Sequence, residues 1–202
     1  MNSLANLRFE NSFARLPDGF HSRVVPTPLV GSHLISLSAP AAALLDMTPE
    51  QLLSEEEVAW LSGLVPLPCG DLVAMCIAGH QFGLYVPQLG DGRALILGEV
   101  RTASGGHWEL QLKGSGLTPY SRVGDGRAVL RSSIRECLCS EAMHALGIPT
   151  TRALCLFGSE EPVYRESLER GALLVRMAPS HVRFGSFELF YHRKRYSRLR
   201  QL

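Results

Sequence analysis

The sequence predicts an α+β fold in which an antiparallel sheet packs against one main helix, with residues 1–65 as an N-terminal extension and residues 66–202 as the sheet-and-helix unit. Three observations carry that expectation. Residues 84–113 alternate apolar and polar positions between two glycine turns, Gln88-Leu89-Gly90-Asp91-Gly92-Arg93 and Gly105-Gly106. A second Gly-Asp-Gly-Arg, residues 124–127, leads into an amphipathic pattern at 131–146. Two apolar runs, 152–157 and 172–177, then flank a polar stretch suited to a hairpin.

The 202 residues suit one domain with an extension and can bury a sizeable core. Hydrophobic residues make up 46% and charged residues 19%, which excludes a disordered chain. The 20 Lys and Arg against 19 Asp and Glu leave a net charge of +1, too little for a global field that would hold nucleic acid. No apolar run reaches the roughly 18 residues of a membrane span, so no membrane partner is expected. The first ten residues lack the apolar core of a secretory signal and carry an early acid, Glu10, which counts against a transit peptide. Cys69, Cys76, Cys137, Cys139 and Cys155 form no Cys-x-x-Cys, so reduced thiols in a cytoplasm are expected.

Taken in order, residues 1–28 are polar and proline-rich and read as an irregular arm lying on another part of the protein. Residues 30–37 read as a strand and 39–45 as a short helix. Thr48-Pro49-Glu50-Gln51 signals a helix start that runs to about Leu61, with Thr48 as N-cap and Pro49 at the first helical position. Pro66, Pro68 and Gly70 break the pattern before a loop bearing Gly79-His80-Gln81-Phe82-Gly83. From Leu84 the pattern predicts a strand, the Gly90 turn, a strand at 94–101, the Gly105 turn and a strand at 107–113, together a three-stranded meander. The main helix is expected at 131–146. Ser133 and Glu136 stand at capping-box spacing, Ile134, Leu138, Ala142 and Ala145 make the apolar face, and Gly147 with Pro149 ends it. A last helix is expected from Ser186 and stops without a terminating signal at Leu202, so the chain reads as cut.

A glycine turn can aim backbone N–H groups at an anion, and Arg93 beside it adds a bidentate fork for phosphate. The same four residues also suit a plain hairpin turn, the reading preferred for Asp91. Lys113 ends its strand and could face solvent or a cleft, and Glu136 could be a cap or surface acid. The order of elements adds weight, because a strand lysine held by a helix glutamate is kept extended toward nucleotide phosphates, as in protein kinases. Arg176 interrupts an apolar run, where an unpaired guanidinium is expensive to bury, so it faces a cleft or an anion. Arg183 precedes the last helix, where phosphate binding is helped, or is a solvated loop charge. The seven histidines show no ligand-spaced pair, so no protein-only zinc site is expected, and His80 reads as structural. Arg193, Lys194, Arg195, Arg198 and Arg200 could form a nucleic-acid or acidic-protein face, and the preferred reading is a solvated helix face.

These residues resemble the SelO (YdiU) family of protein adenylyltransferases, pseudokinases that transfer AMP from ATP to protein hydroxyls. The resemblance rests on Gly79-His80-Gln81-Phe82-Gly83, Gln88-Leu89-Gly90-Asp91-Gly92-Arg93 and Leu112-Lys113-Gly114-Ser115-Gly116-Leu117-Thr118-Pro119-Tyr120-Ser121-Arg122. It continues through Gly124-Asp125-Gly126-Arg127-Ala128-Val129-Leu130-Arg131-Ser132, Gly147-Ile148-Pro149-Thr150-Thr151-Arg152-Ala153 and Ala178-Pro179-Ser180-His181-Val182-Arg183-Phe184-Gly185, so it covers essentially the whole chain. It implies a fold like the N-lobe of a protein kinase. Lys113 and Glu136 would form the ion pair, and Gly90, Gly92, Arg93, Lys113, Asp125, Gly126, Arg176 and Arg183 would line the ATP site. It further implies ATP flipped relative to kinases, with the α-phosphate open to attack and pyrophosphate leaving.

The resemblance places the general base and the magnesium ligands in a further lobe beyond Leu202, so this chain alone is expected to be inactive. Expected partners are protein substrates with Ser, Thr or Tyr hydroxyls and that missing lobe supplied in trans. Two alternatives stand beside it: a non-catalytic nucleotide-binding or protein-interaction remnant, and transfer of UMP instead of AMP.

Overall fold

The computed structural model describes residues 3–202, so Met1 and Asn2 of the N-terminal segment considered above lie outside the described residues. The architecture is α+β, with a mostly antiparallel sheet and a few helices. The strands are β1 (Arg8–Phe9), β2 (His21–Arg23), β3 (His33–Leu37), β4 (Val73–Met75), β5 (Gly79–Gln81), β6 (Leu84–Val86), β7 (Ala94–Arg101), β8 (His107–Lys113), β9 (Ala128–Val129), β10 (Arg152–Tyr164) and β11 (Leu168–Ala178). The helices are α1 (Ala39–Ala43), α2 (Pro49–Leu52), α3 (Glu55–Leu61), α4 (Leu130–Ala145), α5 (Phe184–His192) and α6 (Tyr196–Leu199). The main sheet runs β2-β4-β7-β8-β11-β10-β3, with β1 added to β7 and β9 to β11.

The two-residue period of the strands divides the hydrophobic residues between two faces. Leu173, Val175 and Met177 of β11, with Leu110 and Leu112 of β8, point into a core closed by Ala41, Ala42, Leu45, Leu52, Trp60 and Leu61 of the 39–61 region. Ala172 and Leu174 of β11 point the other way and meet Leu130 and Cys137 of α4. Arg176 shares that second parity, and so do Glu109, Gln111 and Lys113 of β8, which lie opposite Ala178, Arg176 and Leu174. Polar side chains of two central strands are thereby gathered on the face that α4 covers.

Several expectations are corrected. The N-terminal arm is not irregular throughout, because β1 pairs with β7 and β2 with β4, while Leu4, Phe13 and Phe20 are buried. The helix expected over 48–61 is two helices. Thr48 forms its capping box with Gln51, but Ser54 then caps a new helix by accepting the Glu57 N–H. The meander holds only for β7 and β8; β6 pairs instead with β5 in a separate hairpin, and the Gly79–Gln81 stretch is a strand.

The apolar face expected for α4 is not the buried one. Val129 is the N-cap, and Ser133 is buried inside the first turns, so it caps nothing. Ile134 and Leu138 are exposed, as are Ala142 and Ala145, whereas Ser133 and Ser140 face the sheet. Small side chains there let the helix come close to β10 and β11. Gly147, with φ 75, ends α4 as expected. The last helix begins at Phe184 instead of Ser186 and is interrupted at Lys194, where φ is 55, before α6.

Candidate functional site

Two loops, 88–93 and 118–127, meet beside the ends of β8 and β11, and glycine makes that meeting possible. A Cβ on Gly90 would lie 2.3 Å from Tyr120 Cβ, and one on Gly126, where φ is +74, would lie 2.1 Å from the Gly116 carbonyl carbon. Hydroxyl groups then tie the loops together: Thr118 Oγ1 donates to Asp91 O at 2.7 Å and Ser121 Oγ to Gly92 O at 2.6 Å. Neither glycine turn is a hairpin turn of the meander. The Gly90 and Asp91 N–H groups donate to Ile77 O and Met75 O, each at 2.9 Å, so these two amides hold the fold and are not aimed at an anion.

A cavity of about 420 Å³ opens between the loops and the sheet. Gly90, Gly92, Arg93, Lys113, Asp125, Gly126, Arg176 and Arg183 all line it, although they come from five separate stretches of sequence. Glu136 stands behind Lys113. Its Oε2 accepts from Lys113 Nζ and its Oε1 from Arg176 Nη1 at 2.9 Å, while Arg176 Nη2 donates to Gln111 Oε1. One carboxylate thus serves two cations.

The electrostatics follow from that imbalance. Burial pushes the Glu136 carboxyl up, but the Lys113 hydrogen bond and charge, with Arg176, outweigh it and hold it below the usual carboxylate range. Burial lowers the Lys113 ammonium; the Glu136 hydrogen bond opposes this, and nearby Arg176 adds to it. A cluster in which Lys113 and Arg176 share one glutamate and Arg93 lies near Lys113 is short of negative charge. An anion entering the cavity supplies it.

Asp91 is not merely a turn residue, contrary to expectation. It is buried, and its Oδ1 accepts from Arg183 Nη2 at 3.0 Å. Burial raises its carboxyl, opposed by Arg183, Arg176 and His181. Arg183 remains exposed, with 42% of its side chain open, yet it is paired: it is the N-cap of α5 and reaches across to Asp91 of the first glycine turn. Asp125 does line the cavity, but Arg165 grips both of its oxygens, at 2.6 and 2.9 Å.

Four residues of the site were missed. Arg165 sits at the β10–β11 hairpin, where nothing in the local sequence indicates that it reaches Asp125. Arg122, at the cavity mouth, donates to Gln81 Oε1 at 3.0 Å. Gln111 was legible in principle, because it stands two residues before Lys113 on the same strand face. Arg127 also lines the cavity, but its guanidinium is spent on Glu161 at 2.7 Å and on the Thr27 and Pro28 carbonyls.

Other candidates lie elsewhere. His80 is exposed on β5, 3.9 Å from Glu188 and beside the Tyr85 ring. Glu10, Glu99 and His107 bring ligand-type atoms together, yet Glu99 already accepts from Ser12 and meets His107 at 2.6 Å, and Glu10 accepts from Arg101. The Cys137 thiol is pushed up to about 11 by burial, which makes it a poor nucleophile at neutral pH. In the basic cluster Arg198 is not simply solvated: it lies 5.4 Å over the Phe20 ring and bonds the Asp18 carbonyl. No helix among the described residues is long and apolar enough to cross a membrane.

The family described as protein adenylyltransferase SelO matches residues 3–202. The chain is 62% identical over 192 residues to a protein nucleotidyltransferase YdiU of Myxococcus xanthus, covering 95% of this chain and 39% of that protein. It is 58% identical over its whole length to that of Thiobacillus denitrificans, 41% of which is covered, and 55% identical to that of Azotobacter vinelandii, 42% of which is covered. The chain therefore spans about two fifths of the length of these relatives.

Proposed function

The chain belongs to the SelO family, and from that premise we propose that it forms the nucleotide-binding part of a protein adenylyltransferase. The activity is transfer of AMP from ATP to Ser, Thr or Tyr hydroxyls of proteins. The observation that carries the reading is the linked trio Lys113, Glu136 and Arg176 at the wall of a cavity lined further by Arg93 and Arg183. A triphosphate brings the negative charge that this cluster lacks, and Arg93 and Arg183 can grip its oxygens with planar forks. The sheet with α4 packed across it supports the kinase-like N-lobe comparison, since the strand lysine and helix glutamate meet as that comparison requires.

In the proposed reaction a protein hydroxyl oxygen attacks the α-phosphorus, the bond to the bridging oxygen breaks, and pyrophosphate carries the electron pair away. Lys113, Arg176 and Arg183 would hold the phosphates and stabilise the charge that moves onto the leaving group. The base that takes the hydroxyl proton is assigned to none of the described residues. Protein substrates and a separate polypeptide supplying the catalytic lobe are the proposed partners, and a cytoplasmic setting suits the reduced cysteines.

Magnesium is implied by the family comparison, but the described residues of this cavity do not fit it. Asp125 is held by Arg165, Glu136 by Lys113 and Arg176, and Asp91 by Arg183. Of the oxygens on these three carboxylates, Asp91 Oδ2 is the one buried without a partner, and one oxygen close to Arg183 and Arg176 is not the several-oxygen set that magnesium takes.

Calorimetric titration of this chain with ATP and with UTP tests the binding half of the proposal, and α-phosphate-labelled ATP with a separately expressed C-terminal lobe tests transfer. ATP binding with label on protein only in the mixture supports it. Tighter binding of UTP selects the UMP alternative, and binding without transfer in a lobe-associated sample selects the non-catalytic one.

A further inference from the structure

The polar ladder on β8 does not end at the nucleotide cavity. Lys113 is caught by Glu136 and Gln111 by Arg176, and Glu109, the third residue of the same parity, is caught by His181. His181 gives Glu109 two hydrogen bonds on one oxygen: its backbone N–H donates to Oε2 at 2.5 Å, and its Nδ1 lies 2.9 Å from the same atom. Both residues are buried, with side-chain exposures of 3% and 5%. A carboxylate and an imidazole removed from water need a compensating partner, and here each is the other's.

This pair anchors a particular piece of backbone. His181 lies two residues before Arg183 in the connection from β11 to α5, and Arg183 Nε leans on the His181 carbonyl at 3.4 Å while its Nη2 reaches Asp91. Connections of this kind are otherwise free to move, and a guanidinium on a long stem loses rotamer freedom when it is held. His181 Nε2 and Asp91 Oδ2 are also both buried and take no protein partner, and the imidazole is close enough to oppose the rise that burial gives the Asp91 carboxyl. Nothing in the phosphate chemistry above uses Glu109 or His181.

We infer that His181, fixed by Glu109, is a positioning residue for the nucleotide cavity: it pins the 180–183 connection to β8 and so presents Arg183 to the cavity beside the Gly90–Gly92 turn. The inference rests on the reading of that cavity as a nucleotide site. His181 touches no phosphate itself. Its effect on binding is transmitted through Arg183, which distinguishes it from a residue that merely keeps the protein folded.

A double-mutant cycle on this chain, read by ATP titration calorimetry, tests the point. His181→Ala should weaken ATP binding about tenfold, because the freed 180–183 connection and the Arg183 fork must then be ordered when the nucleotide binds. His181→Asn, whose amide can occupy the place of Nδ1 and donate to Glu109, should recover most of that loss. In an Arg183→Ala background, His181→Ala should change affinity by less than about twofold. Unchanged binding in H181A, or a further tenfold loss on top of R183A, overturns the inference. If H181A does not fold, Glu109→Gln replaces it with the same expectations, several-fold weaker binding that vanishes in the R183A background. If the wild-type chain binds no ATP, the nucleotide reading falls and the inference is judged on the Arg183 Nε–H signal in ¹⁵N spectra. Protection of that signal from solvent exchange in the wild type and its loss in H181A uphold the positioning role; equal protection in both overturns it.

Discussion

Lys113 and Glu136 meet at the wall of the cavity although one ends a strand and the other sits in the second turn of α4. The glutamate is shared, because Arg176 takes its second oxygen. Removing either partner of such a part-buried group leaves a charge without compensation, which is worse than never having had the pair. Lys113→Met should therefore weaken ATP binding by at least about tenfold. Glu136→Gln should do so as well, through two loosened cations instead of one missing one. Calorimetric titration with ATP checks both, and a wild-type affinity in either variant contradicts the assignment.

Asp91 and Glu136 should respond oppositely to pH. Burial raises the Glu136 carboxyl, but Lys113 and Arg176 bring it below its unfolded value of 4.5, so its pairing contributes stability that is complete above that pH. The contribution is lost as pH falls through the lower folded value. Burial raises the Asp91 carboxyl, so its ionisation lowers stability as pH climbs from its unfolded value of 3.8. Asp91→Asn should keep or raise the melting temperature at pH 7 while weakening ATP binding through the released Arg183. A lower melting temperature at pH 7 than the wild type contradicts this.

The Asp125–Arg165 pair is part-exposed on both sides, so its removal should change stability by no more than about 1 kcal/mol. What it should change is the order of the 121–127 loop. Arg165→Ala is expected to speed proteolytic cleavage in that loop and to weaken ATP binding several-fold with little shift in melting temperature. A large melting shift with unchanged cleavage contradicts it.

Gly126 and Gly83 separate close approach from conformation alone. Both have positive φ, +74 and +78, but a Cβ at Gly126 meets the backbone of Gly116 and one at Gly83 meets nothing within 4 Å. Gly83→Ala should lower stability by roughly 1–2 kcal/mol, the left-handed penalty alone. Gly126→Ala should lose clearly more and should also weaken ATP binding. Denaturant unfolding of the two variants side by side measures the difference, and equal losses contradict the packing account.

The outer and inner faces of α4 invert the ordinary rule. Leu138 is 67% exposed, so Leu138→Gln should alter stability by about 0.5 kcal/mol or less. Ser133 faces the sheet, and Ser133→Leu should lower stability by about 1–3 kcal/mol by overpacking. A large loss for Leu138→Gln would show that this face is covered.

What the residues announced on their own was local: the β7–β8 hairpin, the Thr48 capping box, the end of α4 at Gly147 and the two long strands β10 and β11. Hydrogen bonds within a few residues and a two- or 3.6-residue period decide such features, and both are visible in a string of letters. The resemblance carried by Gly-Asp-Gly-Arg, Lys113-Gly114-Ser115-Gly116 and their neighbours named eight residues for a nucleotide site, and those eight line one cavity. Only the tertiary structure decided the rest. Residue pairs far apart in the chain turned Asp91 from a turn residue into the buried partner of Arg183 and set Arg165 on Asp125. The same distant contacts bent β6 away from the meander and committed the Gly90 and Asp91 amides to the 75–77 backbone. They also turned α4 so that Ser133 and Ser140, not Ile134 and Leu138, face the sheet. Periodicity marks which residues of a helix share a side, but which side is buried depends on the shape of the surface it lands on. Here that surface carries Arg176, Gln111 and Lys113, and a helix presenting Glu136 beside small side chains is the one that fits it.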